Sequence, residues 1–585
     1  MEKKKNIGLE ILKAIGSVLA VIVIAFVLWI GAGVADRRTT YYAIPSNFSL
    51  YARTDSAWNS VEPLLDLRAA QIIFQDERFS FAENLISQLK NSEIRKNWLV
   101  KNALKKRVDF ALYEKGEYLI VVDTGILASP VRLIPLAFGS NWVSVENLAF
   151  VEESLSDSSG HKTSNDYFEL SMSKNHLYGR IRKNLVLISN SKNLLDFSSS
   201  LRCERGYSQE NAIIMNSRLK EQFLVATSGK NLSQIYSPDS EKIGAEKSNS
   251  GKSNSGKSNS EKSNSGKSGD LVSHYLNYIS SHLATDKLTR FSININDKAI
   301  SVRSNLAIDF TDGFENDPMG KILAIQSGVP SLVKKLPKNV QYYTFINSSS
   351  LEDLKNASFS TLPPKSNINA TWKSAQHKCR LVFGKSLEEI LFSWTGDEYA
   401  VIGLEGEKEN IFALKIKDET QRQYIFDKIL SSAILRNNEK LFVNGVNFSQ
   451  IYVPDFFQKI LENFSINVPK PYYIVKDEYI FFSQSLENLS NLYFGFYEEN
   501  NDIYYKRNSG LLLNSENWKK VSENQSLNAT ISLYYDLQRG IPSFLQEDKT
   551  FAKILKLYNI GRFDVLTKNE SLFLELDAIS DDISD

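Results

Sequence analysis

The residues of this chain that could do chemistry are few, and their contexts withdraw most of it. The clearest formal motif is Gly251-Lys252-Ser253-Asn254-Ser255-Gly256-Lys257-Ser258, the spacing of a phosphate-cradling loop. Such a loop works because a strand delivers it to a helix N-terminus whose backbone amides face the phosphates. Here both flanks continue a Lys-Ser-Asn-Ser-Gly repeat that begins at Lys247, so the match is a by-product of the period. The histidines are scattered: His161, His176, His274, His282 and His377. Only His274 and His282 share an expected helix, and their spacing is not that of an i, i+4 ligand pair. Neither Cys203 nor Cys379 is near them in sequence, so no zinc site is expected. Asp309, Asp312, Glu315 and Asp317 cluster about Gly313 without the alternation of a calcium loop, and read as a solvated turn.

Serine chemistry fares no better. Ser-x-x-Lys strings (Ser171 to Lys174, Ser189 to Lys192, Ser331 to Lys334) are expected in a chain rich in both residues, and no partner motif accompanies them. The Ser189-Asn190-Ser191 and Ser483-Gln484-Ser485 steps each close an apolar strand. Their second serines read as helix N-caps, since the Gly-x-Ser-x-Gly elbow of a nucleophile is absent. Gly116-Glu117-Tyr118 and Gly396-Asp397-Glu398-Tyr399 form a repeated glycine-acid-tyrosine pattern, read as tight turns in which glycine supplies a positive φ. No catalytic, cofactor-binding or metal-binding residue and no cofactor is assigned, and a non-enzyme is expected.

The elements that must carry these residues repeat. Ile44-Pro45-Ser46-Asn47, followed by a short strand through Arg53, returns as Leu336-Pro337-Lys338-Asn339 and a strand through Phe345. Val108 to Tyr113 and Tyr118 to Val122 read as a hairpin, matched by Leu391 to Trp394 and Tyr399 to Leu404 about a turn at Thr395 to Glu398. Tyr178 to Phe197 matches Tyr472 to Asn491, and hairpins from Arg290-Phe291 and Arg562-Phe563 close the two copies. Four matched pairs in one order imply two copies of one domain, at about Ile44 to Asp309 and Leu336 to Ser580. Between the pairs, Val61 to Lys105 reads mainly helical and Asn211 to Met215 as a strand.

Residues 14–35 are 22 uncharged residues, long enough as a helix to span about 33 Å. Lys3, Lys4, Lys5 and Lys13 precede them, and Arg37 and Arg38 follow, a mild bias toward a cytoplasmic N-terminus. A cleaved signal peptide ending at Gly33-Val34-Ala35 is the competing reading, disfavoured by the length of the run. The expected organisation is a cytoplasmic tail (1–13), a transmembrane helix (14–35), a first domain (40–309), a junction (310–335) with a helix over Ile322 to Val333, and a second domain (336–580). The low-complexity stretch 239–270 falls inside the first copy as a loop insertion and not between domains. A net charge of +1 provides no field to recruit nucleic acid, and two cysteines imply no disulfide framework.

The Pro-x-Asn strand openings, the Trp394-Thr395-Gly396-Asp397-Glu398 segment and the Ser-x-Ser steps resemble a family of uncharacterised bacterial membrane-anchored proteins with a repeated extracytoplasmic α+β domain of unknown function. The first copy departs from it, with Lys115-Gly116-Glu117 in place of the Trp-x-Gly-Asp-Glu segment. The resemblance implies architecture and localisation and no reaction. The expectation is an α+β chain anchored in a bacterial inner membrane, with two tandem domains of antiparallel sheet and packed helices on the periplasmic side. It would serve as a binding or scaffolding module with an envelope protein partner. An extracytoplasmic hydrolase with carboxylates assembled by the fold, or an envelope assembly or secretion factor, are the alternatives.

Overall fold

The computed structural model describes residues 20–29, 31, 35, 37–74, 105–125, 148–156, 162–172, 175–231, 278–279, 281–284, 287–310, 313–325, 330–362, 367–406, 409–430, 440–461, 468–495, 510–526, 529–539, 549–568 and 571–580. The repeat at 239–270 and most of the helical stretch expected before Lys105 lie outside them. So do residues 14–19, 30 and 32–34 of the expected span. The chain divides into two units, one of residues 1–66 and 78–227, the other of 67–77 and 228–585.

The first unit is built on β1 (Leu50–Thr54), β2 (Val108–Leu112), β3 (Tyr118–Asp123), β4 (Leu148–Ser156), β5 (Lys162–Met172), β6 (Asn175–Arg182), β7 (Leu185–Ser189) and β8 (Phe223–Ser228). All pairings are antiparallel, in the order β8-β1-β2-β3-β7-β6-β5-β4. The β2–β3 hairpin turns through a short 3-10 segment in which Gly116 has φ 76°, the left-handed value expected of it. Ser191 caps the helix Lys192–Ser199 by accepting from the Leu194 amide, as its position after β7 predicts. Asn211 to Met215 is a helix, Gln209–Asn216, and not the expected strand. Ser208 caps it, and it turns Met215 into the core while Ile213 stays outside, so an apolar run too short to show a period misled the reading.

The second unit holds β9 (Leu288–Ile295), β10 (Ala299–Ala307), β11 (Val340–Asn347), β12 (Thr395–Leu404), β13 (Ile411–Ile416), β14 (Lys440–Val443), β15 (Val446–Gln450), β16 (Tyr472–Lys476), β17 (Tyr479–Ser483), β18 (Ile531–Asp536), β19 (Ile560–Lys568) and β20 (Ser571–Ile579). They form one antiparallel series, β9-β10-β20-β19-β18-β11-β12-β13-β17-β16-β15-β14. From β18 to β14 this series has the same order, position by position, as the eight strands of the first unit. The left-handed turn residues correspond too: Lys183 (φ 54°) between β6 and β7, and Asp477 (φ 54°) between β16 and β17.

The hairpin β9–β10, counted above with the first domain, belongs by its pairing to the second unit. Strand β10 lies along β20 with Ala299 facing Ile579, Ala307 facing Ser571 and Arg303 facing Glu575 at the centre. The helix Arg68–Phe74 likewise falls in the second unit. The expected helix at Ile322 to Val333 begins earlier, as Pro318–Leu323. Asp317 caps it and Pro318 occupies its first turn, and a separate 3-10 turn covers Val333–Lys335. Helices cover both faces of this sheet. Along β17, Tyr479 and Phe481 enter a cluster with Tyr343, Phe345 and Trp518, while Ile480 enters another with Trp372, Trp394 and Phe426. The unbroken apolar runs of β16 and β17 are what a strand buried on both sides requires.

Helix residues 20–29 carry their aliphatic side chains in the open, from Val21 (65% exposed) to Leu28 (67%). Among the described residues no helix is long and apolar enough to cross a membrane.

Candidate functional site

Glu398 was expected in a tight turn; it is 5% exposed. The expected hairpin strand at Leu391 to Trp394 is instead the end of a helix, Leu387–Phe392, started by a capping box between Ser386 and Glu389. The supposed turn is the first part of β12. Gly396 has no left-handed backbone, and a glycine stands there because a Cβ would come within 3.2 Å of Lys415 Cβ on β13. That close crossing lets Lys415 reach back over the strand to the acidic pair.

Four donors converge on the Glu398 carboxylate. Ser331 Oγ and Lys415 Nζ donate to Oε1 at 2.8 and 3.0 Å, and Tyr479 OH and the Leu332 amide donate to Oε2 at 2.8 and 3.2 Å. The Ser331 and Tyr479 oxygens also lie against each other, their protons turned to Glu398, and Lys415 makes a second ion pair with Asp397 at 3.1 Å. Burial alone would push the Glu398 carboxyl up. The bonds from Lys415, Tyr479, Ser331 and Leu332 outweigh it and hold the carboxyl below its ordinary range. Burial and the neighbouring Glu398 charge push the Tyr479 phenol well up. Burial pulls the Lys415 ammonium down, but Glu398 and Asp397 more than reverse that. A carboxylate so held is a poor base, the lysine stays charged, and the Ser331 hydroxyl points its proton at Glu398 and not toward Lys334. The group locks β12, β13 and β17 to the segment before β11; it is not poised for acid–base or nucleophilic work.

A second buried acid behaves differently. Asp564 on β19 is 0% exposed beside Arg562, whose guanidinium lies 2.6 Å away and 5.2 Å above the Trp518 ring. Burial pushes its carboxyl up to about 6 against the pull of Arg562. In the first unit Asp109, also fully buried, accepts from Arg107 (2.8 and 2.7 Å), Tyr51 (3.1 Å) and Thr40. The segment after the apolar helix is fastened by such bonds. Arg37 pairs with Asp123 at 2.5 Å, Asn184 bonds the Arg38 amide and carbonyl at 2.6 and 2.9 Å, and Thr40 reaches Asp109.

A concave surface of the second unit lies elsewhere, in a depression of about 340 Å³ between three helices. Pro318–Leu323 contributes Pro318 and Lys321. Leu351–Thr361 contributes Asp353, Lys355, Asn356, Phe359 and Ser360, and Ile368–Phe383 contributes Asn369 and Trp372. Lys355 Nζ stands 5.1 Å from the Trp372 ring centroid and 5.6 Å from that of Phe392, two rings stacked 6.2 Å apart. Asp353 is occupied at the start of its own helix, accepting from the Ser349 and Ser350 hydroxyls. Sequence reasoning found none of these residues, because they come together only through helix packing.

The remaining candidates fall as follows. Asp317 of the acidic cluster is no free turn residue: it caps its helix, and its two oxygens share the Tyr278 hydroxyl, at 2.8 and 2.7 Å. His282 is bonded to the Tyr278 carbonyl and packed between Tyr278 and Phe310. His274 and the formal phosphate loop lie outside the described residues. Cys203 and Cys379 are buried free thiols, pushed by burial up to about 11 and about 12.

No family model matches this chain. No curated protein matches it either. Among solved structures, crystal form I of TP0453 aligns with a TM-score of 0.25 at 10% identity over 47% of this chain and 80% of that one. Crystal form IV gives 0.22 at 10% identity over 47% and 83%. Likeness at that level carries no argument about fold or role.

Proposed function

We propose that this chain is a bacterial cell-envelope protein, tethered by a single helix over residues 14–35. On the extracytoplasmic side it would carry two copies of one α+β domain and act as a non-catalytic binding or scaffolding module. The observation that carries the tether is the helix at 20–29. Val21, Ile22, Val23 and Ile24 are consecutive and each at least half exposed, so the helix is apolar on every side. Burying one such side chain in an apolar medium is worth about 1.5–3 kcal/mol, and an all-round apolar helix finds that medium in lipid. The shared strand order of the two units supports the duplication.

Binding is favoured over catalysis by where the acids go. Among the described residues Asp353 is the one carboxylate lining the depression, and the buried acids Asp109, Glu398 and Asp564 are each engaged by a cation, Arg107, Lys415 and Arg562. A hydrolase working through a carboxylate pair would need two acids facing one cavity. Alkaline carbonate extraction of membranes from cells making the full chain tests the tether: the chain should stay in the pellet, and its release into the wash would overturn the reading. Gentle detergent extraction tests the module, since an envelope partner should co-purify in fixed ratio.

A further inference from the structure

The depression in the second unit has the chemistry of a receptor for a small organic anion. Among the described residues neither Lys321 nor Lys355 has a carboxylate within ion-pair distance. Lys355 is held instead against the faces of Trp372 and Phe392. An ammonium over aromatic faces keeps its charge and gains only modest electrostatic satisfaction. Lys355 lines the open space together with Lys321, Phe359 and Trp372. Asn356 and Asn369 line it too, with amide groups that can donate or accept. Asn369 is also in the first turn of a sixteen-residue helix whose N-cap, Asn367, makes no side-chain capping bond, and this end of a helix favours negative charge.

The size and the sign of the lining narrow the ligand further. A volume of about 340 Å³ is at the small end of ligand pockets. Two lysines against the single carboxylate of Asp353 leave an excess of one positive charge. Asp353 disfavours a second anionic group on the ligand. Phe359 and Trp372 meet edge to face, at 82° with centroids 5.5 Å apart, so the apolar part of the lining is a corner, and the two lysines supply the charge.

We infer that the depression between helices Pro318–Leu323, Leu351–Thr361 and Ile368–Phe383 binds a singly charged organic anion with a flat apolar body. In this arrangement the body lies in the corner between Phe359 and Trp372, facing one ring and edge-on to the other, and the charge lies between Lys321 and Lys355. The inference deepens the binding-module reading and rests on it.

The test is isothermal titration calorimetry on the full chain in detergent, with 2-naphthalenesulfonate as the anionic probe. The neutral 2-naphthol and the ringless methanesulfonate are the comparisons. The expected result is saturable binding of 2-naphthalenesulfonate, with each comparison at least tenfold weaker. The double variant Lys321→Gln/Lys355→Gln should weaken 2-naphthalenesulfonate binding at least tenfold while it still unfolds in one cooperative transition; Lys321 is exposed and Lys355 half-buried against the Trp372 and Phe392 rings. Binding retained by the double variant would show that the probe enters micelles or another site, and would overturn the assignment. So would 2-naphthol binding as tightly as the sulfonate, or no heat from any probe. If the titration fails while the chain resists carbonate and keeps a stoichiometric partner, the site is wrong and the module stands. If the chain also comes out alone, both fall.

Discussion

Glu398 and Asp564 are both buried acids, and their surroundings drive them in opposite directions. Glu398 is depressed by its four donors, so its contribution to stability is present above the ordinary glutamate value near 4.3 and is lost as pH falls below it. Glu398→Gln should flatten that acid limb and cost about 1–3 kcal/mol at neutral pH, because its donors lose a charged acceptor and Lys415 is left with Asp397 alone as counter-charge. Urea unfolding of the variant and the parent between pH 3.5 and 7 reads both effects. Asp564 is raised to about 6, so the native state holds its proton more tightly than the unfolded chain, whose aspartates titrate near 3.9. Its contribution is full below about pH 4 and is lost as pH rises through about 6. Asp564→Asn should remove that decline, leaving an unfolding midpoint that no longer falls between pH 4 and 6.5. A variant that falls as steeply as the parent would mean Asp564 is ionised throughout by Arg562.

At the scale of elements, local signals and packing divided the work. The Ser191 and Ser485 caps were legible, because a strand running into Ser-x-Ser leaves the second hydroxyl where the amides at 194 and 488 are orphaned. The helix at Leu387–Phe392 was missed, although Ser386 and Glu389 spell its capping box; the apolar run after them was read by matching it to a strand of the other copy. Ser386→Ala should cost about 1 kcal/mol in thermal or urea unfolding. Gly396→Ala should cost about 1–3 kcal/mol, since the added methyl meets Lys415 Cβ and Cγ at 3.2 and 3.3 Å and Lys415 must give way by a few tenths of an ångström. A neutral Gly396→Ala would remove the close-crossing account of how Lys415 reaches Glu398.

For the whole molecule the closing hairpins matter most. Strands β10 and β20 meet in a register that places the first residue of each near the last of the other, a self-complementary pairing that gives both hairpins a partner for an edge they would otherwise expose. The order of four matched segments along the chain predicted two similar sheets. It did not predict that the hairpin closing the first copy would extend the sheet of the second unit. Deleting Lys247 to Gly269 should leave the unfolding midpoint within about 1 °C if the repeat is a plain loop insertion, because loop length enters stability only logarithmically. A drop of several degrees would give the repeat a structural role.

What the amino-acid order fixed by itself was local or periodic: the left-handed glycine at 116, the strand-to-helix caps, the closing hairpins and the apolar run before Asp36. Each depends on neighbours within a few residues, where backbone sterics and orphaned amides leave little choice. Tertiary structure alone decided that Glu398 is a buried counter-ion and not a turn residue. Its partners Ser331, Lys415 and Tyr479 come from three separate segments. It likewise brought Lys321, Lys355 and Trp372 to one depression, because which helix faces meet is set by the packing of distant apolar stripes and leaves no mark on the spacing of the polar residues between them.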